Sequence, residues 1–137
     1  MTNPSPVDII TSDAGIPLAY IVDPHWQPAE TTFMTPGDFS MQMGMIVYGA
    51  GEDIPAHVHL PITRQVEGTN ECIVVRKGRC RVTIYDSQRK FVAERDLEQG
   101  SIILLLGGGH GFHLYEDTVL FEVKQGPYAG NKDKERF

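Results

Sequence analysis

No stretch of the chain approaches the ~20 consecutive apolar residues that a membrane-crossing helix needs, so no membrane partner is expected. Met1 to Pro6 lack the basic start and apolar run of a secretory leader, and the expected compartment is the cytoplasm. Cysteine occurs twice, as Cys72 and Cys80, which is too few for a disulfide framework. Positive charge is the minority sign: 12 Lys and Arg against 18 Asp and Glu leave a net charge of −6. A nucleic-acid partner needs concentrated positive charge and is therefore not expected. One cluster, Arg76, Lys77, Arg79 and Arg81, runs against that balance. It reads as a solvated rim that keeps a sheet soluble, with an anionic ligand surface as the alternative. Helical periodicity is nearly absent, and there is no fixed-period repeat or low-complexity tract.

What is present points to strands. At 137 residues, 41% hydrophobic and 22% charged, the chain suits one globular domain with a real core. Gly 14 and Pro 9 favour a turn-rich fold. Six prolines within the first forty residues cut that region into extended pieces, and Trp26 among them reads as a plug over a core or a dimer contact. Residues 1–38 are expected to form an extended arm with edge strands, 39–125 the main body, and 126–137 a polar tail.

Within the body, residues 40–48 place Met41, Met43, Met45 and Val47 on one face at period two, as adaptable core filling. After a Gly49-Ala50-Gly51 turn, 54–60 is a second segment. Residues 71–76 and 79–85 are expected to form a tight hairpin through Lys77-Gly78. Segments 91–97, 101–106, 111–115 and 119–124 complete an all-β sandwich or barrel.

Three segments carry chemistry. His57 and His59 are two apart on a strand, so both imidazoles project from one face while Val58 points to the other. In the expected hairpin, Glu71 lies on the face of Ile73, Val75, Cys80, Val82 and Ile84, the core side. A carboxylate turned inward is costly unless a cation or strong hydrogen bonds compensate it. The same parity turns Cys80 inward and Cys72 outward, which predicts free thiols. Gly107-Gly108-Gly109 then lets the backbone turn sharply and delivers His110 at the head of a strand. His113 competes with it, but points away from the face shared by His110 and Phe112. Three imidazoles and one carboxylate suit one divalent Fe, Mn, Co, Ni, Cu or Zn ion and disfavour Ca and Mg.

These positions resemble the cupin family. Gly51, His57, His59, Glu71 and Gly78 occupy the places of its first motif, G-x5-H-x-H…E-x6-G. Gly100, Gly107 and His110 occupy those of its second, and together the likeness spans residues 40 to 125 or so. The resemblance implies a double-stranded β-helix, or jelly-roll, barrel over 39–125 with His57, His59, Glu71 and His110 as metal ligands. Two departures stand out. Eleven residues separate His59 from Glu71 where the family has three or four, and Leu105 or Leu106 replaces the proline of the second motif. The longer loop makes Glu67 an alternative carboxylate ligand, although the E-x6-G spacing and the strand parity both select Glu71.

A cupin-like barrel gives a site but no reaction. The first reading is a metalloenzyme of isomerase, lyase or oxygenase type acting on a small polar, sugar-like substrate, with Glu67, Tyr48, Arg64 and His113 as candidates to move a proton. The alternatives are a non-catalytic ligand-binding or sensor protein, and a metal-free epimerase-like protein in which the histidines act as acid and base. Exposed strand edges and the proline-rich start make a homodimer the expected assembly.

Overall fold

Alternating apolar residues fold here into antiparallel strands, in a computed structural model that describes residues 5–137. Met1 to Pro4, part of the segment read above for a leader, lie outside the described residues. The chain divides into two compact units, one formed by the chain up to Trp26 with Gly68–Phe137, the other by Gln27–Glu67. No helix of the described residues is long and apolar enough to cross a membrane.

The first unit contains eight of the strands: β1 (Val7–Thr11), β2 (Pro17–Val22), β5 (Glu71–Lys77), β6 (Arg79–Tyr85), β7 (Phe91–Glu98), β8 (Ile102–Leu105), β9 (Gly109–Leu114) and β10 (Val119–Lys124). β3 (Thr32–Phe33) and β4 (Gly44–Met45) belong to the second. The first unit is built on a five-stranded sheet, in the order β1-β2-β8-β5-β10, and a three-stranded sheet, β7-β6-β9. All of their pairings are antiparallel. Ile10, Ala19, Ile21, Ile73, Val75, Ile103 and Leu105 from the larger sheet meet Cys80, Val82, Ile84 and Leu97 from the smaller in one core. The architecture is therefore an all-β sandwich whose inner faces interlock at alternate residues.

The expected Lys77-Gly78 hairpin does not form. β5 pairs with β8 and β10, whereas β6 pairs with β7 and β9, so the chain changes sheet at Gly78 instead of doubling back. The parity argument survives this correction, because both inner faces point at the same core. Ile73, Val75, Cys80, Val82 and Ile84 are all buried. Gly78 has φ of +91°, and a Cβ on it would lie 2.5 Å from the Asp117 carbonyl and 2.6 Å from Thr118 Oγ1. Only glycine fits such a corner without displacing its neighbours. Of the basic cluster, Arg79 faces Glu116 at 3.5 Å and Arg81 faces Glu94 at 3.7 Å, in keeping with a solvated rim.

Two further strand expectations fail. In place of a strand over 40–48, the ladder is confined to Gly44–Met45 paired with Thr32–Phe33. The Thr31 hydroxyl accepts from the Val47 amide at 3.0 Å, and that of Thr35 accepts from the Met43 amide at 3.1 Å. Side chains thus replace the ladder bonds on either side. Residues 54–60 form no strand. Pro55 and Pro61 have no amide hydrogen and confine any pairing of this segment to the residues between them.

The tail is not a free end. Thr69 donates to Asp133 at 2.6 Å, Arg89 pairs with Glu135, and the Phe137 ring packs edge-on against Tyr85 at 5.0 Å. Both cysteines are free, Cys80 in the core and Cys72 half-buried on the opposite face of its own sheet. Burial raises the pKa of each thiol. Native protein at pH 7 is therefore expected to react with a disulfide reagent at least about tenfold more slowly than free cysteine, while both thiols titrate at once in guanidinium. Rapid reaction of Cys80 in the native protein would show that the core opens there.

Candidate metal centre

The strand order builds the site from one side of the sandwich. β9 and β10 are consecutive but do not pair: each is the edge strand of a different sheet. His110 lies on β9 opposite Ile84, a core residue of β6, so its ring takes the inward face. Glu71, at the start of β5, lies opposite Leu105 and Lys124 and takes the inward face as well. The two side chains meet, His110 Nε2 lying 3.7 Å from Glu71 Oε2. Their side chains are 30% and 18% exposed, that of Glu71 the more enclosed.

At 3.7 Å this contact is longer than a hydrogen bond, and the electrostatics explain why it is not a tight ion pair. Burial pushes the Glu71 carboxyl up from 4.5 to about 7, and a hydrogen bond to the Glu122 side chain and its negative charge push the same way. Burial also holds His110 below the ordinary histidine value. Each group is thus driven toward its neutral form. A neutral imidazole beside a desolvated carboxyl is a pair that a cation relieves, since metal ligation needs the deprotonated states of both. Glu71 and His110 are thus two donors of the kinds a divalent transition metal takes, one carboxylate and one imidazole.

Glu122 is the residue that the sequence reading passed over. It lies opposite Ile73, on the inward face of β10. Its neighbours Val119, Phe121 and Val123 form the apolar row of that strand, and they are exposed, as Glu122 itself is.

His57 and His59 fall in the second unit. Their rings are neighbours, with centroids 5.3 Å apart and planes at 70°. His57 Nδ1 lies 2.9 Å from the Pro55 carbonyl. A carbonyl can only accept, so Nδ1 is the donor in this contact and Nε2 is the ring nitrogen not engaged by it. Among the described residues, no group of three or more His, Cys, Asp or Glu side chains is arranged to hold a metal ion. The four expected ligands accordingly form two pairs, Glu71 with His110 and His57 with His59.

The other candidates are exposed. Tyr48, Arg64 and Glu67 lie in the second unit, in the segment without secondary structure. His113 lies opposite Arg81 on the outward face of β9, with its ring 5.5 Å from Tyr115. No protein-family model matches the chain, and no curated protein or solved structure matches it at a significant level.

Proposed function

We propose that the protein is a small metal-binding protein of cupin type, a double-stranded β-helix barrel that holds one divalent transition metal through His57, His59, Glu71 and His110. The observation that carries this reading is Glu71, which is turned inward, held up at about 7 and set 3.7 Å from His110. Such a carboxyl weakens the fold without a cation and strengthens it with one. The His57 ring supports the same reading, because its hydrogen bond to Pro55 leaves Nε2 available.

A metal at this position supplies a Lewis acid for a carbonyl or hydroxyl of a small polar, sugar-like substrate. Glu122 hydrogen-bonds Glu71 and is the group best placed to hold or pass a proton at a carboxylate oxygen. A non-catalytic ligand-binding or sensor protein is the second reading. It is favoured by the exposure of Tyr48, Arg64, Glu67 and His113, none of which is held like a general base.

The test is metal analysis of tag-free protein with its Glu71→Ala and His110→Ala variants. About one equivalent of a transition metal is expected in the wild type. Each variant is expected to weaken binding by more than about 100-fold, beyond what loss of an outer-sphere partner costs. A wild-type protein that stays empty when Mn, Fe, Co, Ni, Cu and Zn are each supplied would overturn the reading.

A further inference from the structure

Residues 126–137 are polar and mostly exposed, yet their path is fixed at both ends. Just after β10 the Gln125 side chain accepts from the Asn70 amide, and Asp133 accepts from the Thr69 hydroxyl at 2.6 Å. Both contacts fall immediately ahead of Glu71, at the entry to β5. Further on, Glu135 pairs with Arg89. The Phe137 ring lies 5.0 Å from that of Tyr85, and the Arg89 guanidinium lies over it at 5.1 Å. Tyr85 pairs with Gly109, and because Ile84 and His110 face inward, this pair faces outward. The segment therefore runs from the head of β5, past the Glu71–His110 pair, to the outer face of the smaller sheet. All of these residues belong to the first unit. The pair feels the segment's charges: burial raises Glu71 and Asp133 adds to the rise, while burial lowers His110 and Lys134 adds to the fall.

Two residues are fitted to this path. Gly109 is a strand residue outside the left-handed region, so its backbone does not require glycine. A Cβ there would meet the Phe137 ring at 2.8 and 2.9 Å, with the Tyr85 Cβ next at 3.5 Å. A bare strand position covered by an aromatic ring is a seat for that ring. Arg89 is the one non-glycine residue with positive φ, +67°, among the described residues. It lies in the turn between β6 and β7, where glycine or asparagine sits at least cost. Arginine at that position is strained, and its side chain makes both contacts to Glu135 and Phe137.

We propose that residues 126–137 are a strap closed over Glu71 and His110 and latched by the Phe137 ring on Gly109, and that ions or small ligands reach the pair when the latch releases. Every contact of the latch is made by partly exposed side chains, so it opens far more readily than the core. That the cargo is a divalent metal ion rests on the reading above; the strap itself does not.

The experiment follows acylation of each histidine by diethyl pyrocarbonate, read by mass spectrometry, with exposed His25 as the internal reference. Phe137→Ala removes the latch, and Gly109→Ala fills its seat. Each is expected to speed the reaction of His110 by about five- to tenfold, with His25 unchanged. The double variant is expected to be no faster than either single one, because both release the same contact. Arg89→Gly relieves the turn while removing two latch contacts, so it should speed His110 without lowering the urea midpoint. Cys80 should stay unreactive toward a disulfide reagent throughout, since the core remains closed.

A wild-type rate at His110 in Phe137→Ala and Arg89→Gly overturns the strap, as does a full further effect of Gly109→Ala on top of Phe137→Ala. Parallel gains at His110 and Cys80 overturn it too, because they mean a loosened fold. Stopped-flow uptake of Co(II) tests the gate: entry is expected to quicken with His110 acylation, and equal entry rates for wild type and Phe137→Ala overturn it. If wild type takes up no Co(II), the metal reading fails while the His110 rates still decide the strap.

Discussion

Gly78→Ala is expected to destabilise the protein by about 2–4 kcal/mol. Two costs act together. At φ of +91° an L-residue occupies a region that costs on the order of 1–3 kcal/mol. The added Cβ also meets the Asp117 carbonyl at 2.5 Å and the Thr118 Cα at 2.9 Å, both backbone atoms. Those atoms are themselves anchored, because the Arg79 carbonyl accepts from the Tyr115 amide at 3.0 Å and from the Thr118 hydroxyl at 3.3 Å. The corner therefore cannot open without breaking the bonds that close it. Urea unfolding measures the effect, with Gly111→Ala as control. Gly111 has open space for a Cβ, and its change is expected to stay within about 1 kcal/mol. An equal response from the two variants would mean that the sheet change at Gly78 is not rigid.

That corner also shows how far the sequence could be read. Alternation assigns faces, and for β5 and β6 it assigned them correctly, because a strand's period of two does not depend on its partner. Partners are another matter. Lys77-Gly78 between two alternating runs looks the same whether the chain doubles back within a sheet or crosses to the facing one. What distinguishes the two here is the packing of Asp117 and Thr118 against the glycine, forty residues away in sequence.

The site was legible to the same depth. The inward turn of Glu71 follows from parity, and the position of His110 near the start of β9 from the glycine run before it. Glu122 was hidden because Val119, Phe121 and Val123 form the more apolar row of β10, and a row of that kind ordinarily marks the core. In the folded chain that row is exposed, and Leu120, Glu122 and Lys124 take the inward side. The failure of 40–48 and 54–60 as strands has a related cause. Each has the alternation, but a strand exists only where its backbone groups find a partner. Thr31 and Thr35 supply side-chain substitutes in the first segment, while the second has its prolines and an unpaired backbone.

Glu71→Gln is expected to do two opposite things: abolish metal binding and make the metal-free protein more stable at pH 8. In the folded chain the carboxyl is held at about 7 against an ordinary 4.5, so folding favours its protonated form. A carboxyl raised in this way contributes fully to stability below pH 4.5, loses that contribution as pH rises through 7, and is a constant penalty above it. At ~1.4 kcal/mol per pH unit the rise sets an upper bound of about 3–4 kcal/mol, and relaxation around a side chain that is partly exposed lowers it to about 1–3 kcal/mol. Glutamine has the same shape, carries no charge, and can donate from its amide to the Glu122 carboxylate. Metal-free Glu71→Gln should therefore exceed metal-free wild type in urea midpoint at pH 8, and the gap should close to a few tenths of a kcal/mol near pH 5, where wild type is protonated too. With metal added the order reverses, because the wild type gains the binding free energy and the variant gains none. If the variant is instead less stable than metal-free wild type at pH 8, the inward carboxylate is already compensated by the protein, and the argument for a cation beside His110 loses its physical basis.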